Sequence, residues 1–289
     1  MKKTRKILAI VVTYYPEKEL LEKNILAFID HVAKVLIWEN TPEQEKLNYR
    51  FIEHEKVEYH GDGINSISHG LNYGWQYAKK HGYDYLLTMD QDSVFEDFYS
   101  YFQQTIFNPD VPKGIWGPET YGDKPKEIIE SDKIITSGML LSVELINRIG
   151  GWNEMFSVDC VDDEFCLRAK KDGIKTYIIG MSRLYQRYGK PKKVTFWGRS
   201  NIINYDSPGR LYSIYKNHVL LMRLFPDNTK LKKEFWDVWI PSIKWTVVCG
   251  DKPIENLFAI IRGIISGRIE KIHLKSVRRV TGPSHKMPL

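Results

Sequence analysis

The sequence has little cysteine and no long apolar run. It contains three cysteines in 289 residues, and their spacing fits neither a metal-binding motif nor complete pairing in disulfides. Reduced thiols in a cytosolic protein are the simplest explanation. No segment approaches the ~18 consecutive apolar residues that a membrane span requires. The apolar run Ile7–Val12 is short and lacks the cleavage site of a signal peptide. We therefore expect a cytoplasmic protein.

Two glycine-rich phosphate-binding motifs are also missing. No Gly-x-Gly-x-x-Gly follows the first predicted strand, and no Gly-x-x-x-x-Gly-Lys-Ser/Thr occurs in the chain. Their absence disfavours a dinucleotide-binding dehydrogenase and a P-loop nucleoside triphosphatase. A diphosphate bound by this protein would have to be held by a metal ion and not by a glycine loop.

The positive charge is concentrated near the end of the chain. The formal net charge is +6, and residues 251–289 contribute +5 of it, with eight Lys/Arg against three acids. Nucleic acid and an anionic membrane surface are the two classes of partner that such a segment suggests. We favour the membrane surface and expect no nucleic-acid partner.

Apolar runs of strand length alternate with amphipathic segments in the first third of the chain. Strands are predicted at 6–13, 35–38, 51–59 and 85–89, and helices at 17–31 and 65–81. This order is typical of a mostly parallel sheet covered by helices. The predicted fold class is therefore α/β.

Polar residues follow the predicted strands at the point where each strand ends. Thr13 ends the first strand, Glu39 the second and Asp90 the fourth, with Asp92 two residues further on. Open α/β sheets bind ligands at these carboxyl ends. Because alternate residues of an extended chain point the same way, Asp90 and Asp92 can face one ion, and their hard oxygens suit Mg²⁺ or Mn²⁺. A polar loop that caps the next helix is the alternative interpretation.

The densest group of acids opens a predicted helix. Its members are Asp159, Asp162, Asp163 and Glu164. Acids in a first helical turn are favoured by the helix dipole, so capping is one interpretation. Crowded carboxylates also raise the pKa of at least one member, as a general base requires, so a catalytic base is the other.

The last third of the chain is helical in pattern. Residues 254–269 present an apolar face and are followed by basic residues. An interfacial helix on an anionic membrane has this combination. Packing on the catalytic domain, or on a second subunit in a homodimer, is the alternative.

Several motifs occur in a specific order over roughly residues 5–225. They are Thr13-Tyr-Tyr-Pro16, Glu39-Asn40, Asn65 with Gly70-Leu-Asn72, Met89-Asp-Gln-Asp-Ser93, Gly150-Gly-Trp-Asn-Glu154, Val161-Asp-Asp-Glu-Phe-Cys-Leu-Arg168 and Ser207-Pro-Gly-Arg-Leu-Tyr212. Together they resemble the inverting GT-A glycosyltransferases of family 2, in the rhamnosyltransferase-like branch. The resemblance implies a GT-A catalytic domain over residues 1–225 and a helical, basic extension over 226–289.

The resemblance also implies roles for individual residues. Asp92 would bind the divalent metal, and Asp162 would be the catalytic base, with Glu164 as its acidic neighbour. One departure concerns Gln186, which stands where many relatives have a metal-ligating His and is a poorer ligand than imidazole. The nucleotide sugar would be bound by Thr13, Tyr15, Glu39, Asn72, Asp90 and Arg168.

The implied reaction is transfer of a sugar, with rhamnose from dTDP-rhamnose as the best guess. The acceptor would be a growing cell-surface polysaccharide or a lipid-linked glycan, and the enzyme would work peripherally on the inner face of the membrane. Other sugars, such as galactose, glucose or galactofuranose, are alternatives. A sugar-1-phosphate nucleotidyltransferase is disfavoured because no glycine-rich basic loop follows the first strand.

An inactive relative that only binds glycans is the alternative outside the enzymes. Gln186 favours it, and Asp90, Asp92 and Asp162 argue against it.

Overall fold

The sequence pattern of strands and helices is present in the computed structural model of the protein. The structure describes residues 5–42, 45, 50, 52–120, 127–187, 191–196, 198–204 and 207–272. These residues form two compact units, the first ending at Gln186 and the second beginning at Arg187. The boundary predicted between residues 225 and 226 falls inside the second unit. The division into a catalytic domain and an extension therefore stays a proposal about function.

The first unit is a sheet with helices. Its helices are α1 (Lys18–Leu26), α2 (Ile67–Lys80), α3 (Phe98–Thr105), α4 (Val143–Ile149) and α5 (Val161–Lys171). Its strands are β1 (Ile7–Thr13), β2 (Lys34–Glu39), β3 (Val57–His60), β4 (Tyr85–Asp90), β5 (Ser93–Phe95), β6 (Ile115–Glu119), β7 (Ile128–Ser131), β8 (Met139–Ser142) and β9 (Thr176–Gln186).

The strands run in the order β3-β2-β1-β4-β8-β6-β9-β5, and β7 pairs with β9. β1 to β4 are parallel to one another, and β8 lies antiparallel between β4 and β6. Every residue of β1 is buried, as expected of a central parallel strand covered on both faces. The predicted α/β class is thus confirmed.

Element boundaries differ most from the prediction in two places. The helix predicted over 17–31 ends at Leu26 and is followed by a separate 3-10 turn at Ile29–His31. The strand predicted over 51–59 is formed only at Val57–His60. The periodicity of apolar residues predicted correctly that a helix and a strand occur here, but it did not predict where they begin and end.

Glycines allow α2 to approach the sheet closely. A Cβ atom at Gly74 would lie 2.9 Å from the Cβ and the Cγ1 of Ile10 in β1. At Gly70 it would lie 2.5 Å from the indole Cδ1 of Trp38 in β2. Both positions are therefore constrained by packing and not by a turn.

The second unit is a hairpin followed by helices. The hairpin consists of β10 (Pro191–Phe196) and β11 (Arg199–Asn204). The helices are α6 (Pro208–Leu224), α7 (Thr229–Glu234), a π-helical turn (Phe235–Trp239), α8 (Ile240–Cys249) and α9 (Pro253–Ile269). In the part of the chain that the structure describes, none of the helices is both long enough and apolar enough to cross a bilayer.

The close approach of α2 to β1 predicts that a larger residue at Gly74 destabilises the protein. At an open helical position Gly→Ala stabilises by about 1 kcal/mol. At Gly74 the added methyl meets the branched Ile10 side chain, and overpacking of this kind costs about 1–3 kcal/mol. We expect Gly74→Ala to lower the denaturant midpoint. Gly209→Ala, whose Cβ would meet nothing closer than 4.0 Å, should raise it or leave it unchanged. A stabilised Gly74→Ala variant would contradict the packing.

Candidate active site

Strand register brings the predicted polar residues to one edge of the sheet. In the parallel ladders Thr13 pairs with Glu39, and Val12 pairs with Asp90. The backbone N–H of Asn40 donates to the carbonyl of Thr13 at 2.8 Å, which extends the β1–β2 pairing beyond the strands. The ends of β1, β2 and β4 therefore lie side by side, as the sequence predicted.

The turn after β4 is tied to the chain that follows β1. The Tyr14 backbone N–H donates to Gln91 Oε1 at 2.7 Å, and Gln91 Nε2 donates to the Tyr14 carbonyl at 3.1 Å. Gln91 therefore fixes the loop between Asp90 and Asp92 against β1. No local pattern around Gln91 indicated this role.

Tyr15 lies beyond β1 in a left-handed backbone conformation, with φ 47°. Its N–H donates to Thr41 Oγ1 at 3.0 Å, which holds this strained residue in place. The rings of Tyr14 and Tyr15 are exposed and meet edge to face at 4.6 Å. Exposed, fixed aromatic rings beside the strand ends suit stacking on a base or a sugar.

Glu39 is fully buried at the end of β2. The Nε of Arg50 lies 3.4 Å from its Oε2. Gly61 passes so close that a Cβ there would lie 2.2 Å from the Glu39 carbonyl oxygen. The predicted nucleotide-binding carboxylate is thus paired with Arg50, and its backbone leaves room only for glycine at position 61.

Asp90 accepts a hydrogen bond from a residue that the sequence marked as a departure from the family pattern. Gln186 Nε2 donates to Asp90 Oδ2 at 2.8 Å, and Ser93 Oγ donates to Gln186 Oε1 at 2.7 Å. Burial raises the pKa of Asp90 to about 6, the Gln186 hydrogen bond opposes this, and the charge of Asp92 adds to it.

The donor set at the end of β4 fits a hard divalent cation. Mg²⁺ in nucleotide sites uses one or two carboxylates and completes its shell with phosphate oxygens and water. Asp90 and Asp92 supply two carboxylates that interact electrostatically. The Gln186 oxygen accepts from Ser93, so its amide presents N–H to Asp90. Among the described residues, no cluster of three or more His, Cys, Asp or Glu side chains could hold a metal.

The second acidic group lies at the start of α5. Cys160 precedes the helix with φ 62°, and Asp162 Oδ1 accepts from the N–H of Asp163 at 3.0 Å. Lys133 Nζ pairs with Asp163 Oδ1 at 2.7 Å. Burial raises the pKa of Asp162 to about 7, and the Asp163 charge adds to the shift while Lys133 opposes it. Such a carboxyl is suited to accept a proton near neutral pH.

Glu164 and Arg168, one turn apart on α5, form a buried ion pair. Arg168 Nε donates to Glu164 Oε1 at 2.9 Å, and Arg168 Nη2 donates to Glu164 Oε2 at 2.8 Å. The guanidinium also donates to the carbonyls of Ile149 and Gly151, at 2.8 and 2.7 Å. The sequence predicted a catalytic neighbour and a sugar-nucleotide ligand here. The structure places both side chains in a clamp on the loop that follows α4.

Asn72, predicted to lie on a helix turned toward the nucleotide, binds the same loop. Its Oδ1 accepts from the Trp152 N–H at 2.8 Å, and its Nδ2 donates to the Trp152 carbonyl at 2.9 Å. Nδ2 also lies 2.8 Å from Glu154 Oε1. We call the segment that Asn72, Glu164 and Arg168 hold, residues 150–154, the clamped loop.

His69 is a further member of the site region that sequence reasoning missed. Its ring nitrogens lie 2.9 Å from Asp62 Oδ2 and 3.3 Å from Glu154 Oε2. The hydrogen bond to Glu154 is the main cause that raises the pKa of His69. A lone His on a helix gives no signal in sequence, since both partners come from other segments.

The clamp predicts a large loss of stability when one partner is removed. Arg168→Met leaves the carboxylate of Glu164 buried without its cation, which costs about 3–5 kcal/mol. Chemical denaturation should show this loss, and Glu164→Gln combined with Arg168→Met should lose less. Lys170→Met, which removes an exposed pair with Asp132, is the control and should cost under about 1 kcal/mol. Equal losses for the two single variants would rule out the clamp.

Comparisons with known proteins agree with this geometry. No family model matches the chain. It is 27% identical over 245 residues to the dTDP-rhamnosyl transferase RfbF of Shigella flexneri, a match that covers 75% of this chain and 80% of that protein. A crystal structure of GalNAc-T7 with UDP, GalNAc and Mn²⁺ matches with TM-score 0.58 and 12% identity, over 77% of this chain. This chain spans 48% of that one, about half its length. The chain therefore has the GT-A fold, and both comparisons support the resemblance to family 2 glycosyltransferases that the sequence motifs indicated.

Proposed function

We propose that the protein is a metal-dependent inverting glycosyltransferase that transfers a sugar from a nucleotide-diphosphate donor. The observation that carries the proposal is the alignment of Thr13, Glu39 and Asp90 at one edge of the sheet, with Asp92 next to them. Rhamnose, donated by dTDP-rhamnose, is the favoured sugar because the curated relative is a dTDP-rhamnosyl transferase.

The donor binds at the carboxyl ends of β1, β2 and β4. Thr13, Tyr15 and Glu39 hold the nucleoside, with the tyrosine ring beside it. Asp90 and Asp92 hold Mg²⁺ or Mn²⁺, and the GalNAc-T7 structure supports this assignment because it contains Mn²⁺. When bound, the cation neutralises the negative charge that develops on the departing diphosphate.

Asp162 acts as the general base. Its raised pKa makes the carboxylate a competent acceptor for the proton of an attacking hydroxyl, and a single in-line attack inverts the anomeric carbon. Glu164 and Arg168 serve this step indirectly, because their ion pair fixes both the first turns of α5 and the clamped loop. We therefore propose them as positioning residues and not as ligands of the sugar nucleotide.

The proposed acceptor is a growing cell-surface polysaccharide or a lipid-linked glycan in a bacterium. Support comes from the similarity to the RfbF transferase and from the basic residues near the end of the chain. An enzyme with a lipid-linked acceptor gains from working peripherally at the membrane surface. A homodimer is the alternative partner for the helices of the second unit.

The donor and the metal are tested together by thermal shift. A ligand that binds only the folded state raises the melting temperature. At a ligand concentration 100-fold above Kd, the free energy of unfolding increases by about 2.7 kcal/mol. We expect dTDP-rhamnose to stabilise the protein more with Mn²⁺ than with EDTA. In Asp92→Ala the Mn²⁺ effect should disappear while the melting temperature without ligand is kept. If another nucleotide sugar stabilises better, the donor assignment is wrong. If Mn²⁺ has no effect in wild type, the metal assignment is wrong.

The base assignment is tested by two neighbouring variants. Asp162→Asn cannot accept the proton and should lose about 10²–10⁴-fold in turnover with donor affinity retained. Asp163→Asn, which loses only its pairing with Lys133, should retain most activity. The wild-type rate should fall as pH drops below about 7, because the base is then protonated.

Stability provides the internal check on Asp162. Its folded pKa is raised above the unfolded value of 3.8, so its contribution to stability is fully present below that value and is lost as pH rises toward 7. Asp162→Asn should therefore be at least as stable as wild type at about pH 8. A dead Asp163→Asn beside an active Asp162→Asn would reverse the assignment.

A further inference from the structure

Helix α9 is apolar on two opposite sides, and one side is used inside the second unit. Ile260, Gly263 and Gly267 are buried on that side. A Cβ at Gly263 would lie 2.5 Å from the Tyr212 carbonyl oxygen, and one at Gly267 would lie 2.5 Å from the Lys216 carbonyl oxygen. α9 is thus packed with its backbone close to that of α6. One side of α9 therefore packs on another helix of the same chain, which was one of the alternatives in the sequence analysis.

The opposite side of α9 is exposed. Its apolar residues are three or four positions apart, so they form one line along the helix. Their side chains are 43–74% exposed. We call this line the outer stripe: Ile254, Phe258, Ile261, Ile265 and Ile269. At 1.5 Å per residue it extends for about 22 Å.

Positive charge borders the outer stripe. At 100° per residue, Arg262 and Arg268 fall on the two sides of the line, and both are exposed. The acids near the helix ends are engaged: Glu255 pairs with Lys252, and Glu270 with Lys216, each at 3.3 Å. The sequence that follows, residues 271–289, contains five Lys/Arg and no acid. Two arginines therefore border the stripe, and the sequence that follows the helix is basic.

We propose that the outer stripe docks on the surface of an anionic lipid bilayer, with α9 parallel to the membrane. Its apolar side chains would enter the boundary between headgroups and acyl chains, and the arginines on both sides would bind lipid phosphates. A second copy of this chain fits less well, because stripe-to-stripe packing brings like-charged arginines together. The proposal does not depend on the proposed sugar transfer, since lipid binding is measured without substrates.

The test is sedimentation of the full chain with vesicles of phosphatidylglycerol and phosphatidylcholine, and with vesicles of phosphatidylcholine alone. We expect binding to the anionic vesicles that weakens as salt is raised. Phe258→Asp with Ile265→Asp should abolish it. Leu26→Asp, at a 68% exposed position on α1, is the matched control and should bind as wild type. Arg262→Gln with Arg268→Gln should weaken binding by about fivefold per arginine.

Several results would overturn the proposal. One is equal binding by wild type and the double Asp variant, and another is equal binding to both kinds of vesicle. Wild type that binds neither vesicle, but forms a dimer in sedimentation velocity that the double Asp variant abolishes, assigns the stripe to a second copy. A fourth is binding that is lost on deletion of residues 273–289 and kept in the double Asp variant, since the basic sequence alone would then account for the binding.

Discussion

Hydrogen bonding between β1 and its two parallel neighbours determines where the chemistry can take place. The ladders align Thr13 with Glu39 and Val12 with Asp90, so the polar residues meet because of the backbone and not because they attract one another. A slip of one residue would turn every side chain of a strand to the other face of the sheet. Since β1 is buried at every position, such a slip would disrupt close packing on both faces of the strand.

The hydrogen bonds to the two acids with raised pKa values come from uncharged groups. Asp90 accepts from the neutral amide of Gln186, and Asp162 accepts from a backbone N–H. The guanidinium of Arg168 is directed instead to Glu164, and Lys133 to Asp163. An ion pair at Asp162 would lower its pKa and weaken it as a base. Burial is therefore the main cause of the raised pKa of both acids, and Lys133 opposes it at Asp162.

The sequence predicted what depends on local pattern and missed what depends on distant pairing. Strand ends such as Asp90 were found because an apolar run stops there. The contact between Gln186 and Asp90 requires the antiparallel register of β5 and β9, which pairs Ser93 with Gln186 and has no local signal. The ion pair of the clamp could be predicted, since Glu164 and Arg168 are four residues apart on one helix. The contacts of Arg168 with the carbonyls of Ile149 and Gly151 could not. Helical periodicity likewise could not assign α6 to the unit of α9.

Gln186, which stands where the sequence resemblance implies a histidine in many relatives, contacts Asp90 as a hydrogen-bond donor. The Gln186 amide donates from Nε2 to Asp90, and Ser93 donates to the remaining Gln186 oxygen. This arrangement steadies Asp90 and adds no charge. A divalent cation is attracted by the charge of the carboxylates around it, and a neutral amide leaves that charge undiminished. Gln186 thus acts on the proposed metal site through Asp90, by orienting a ligand and not by being one.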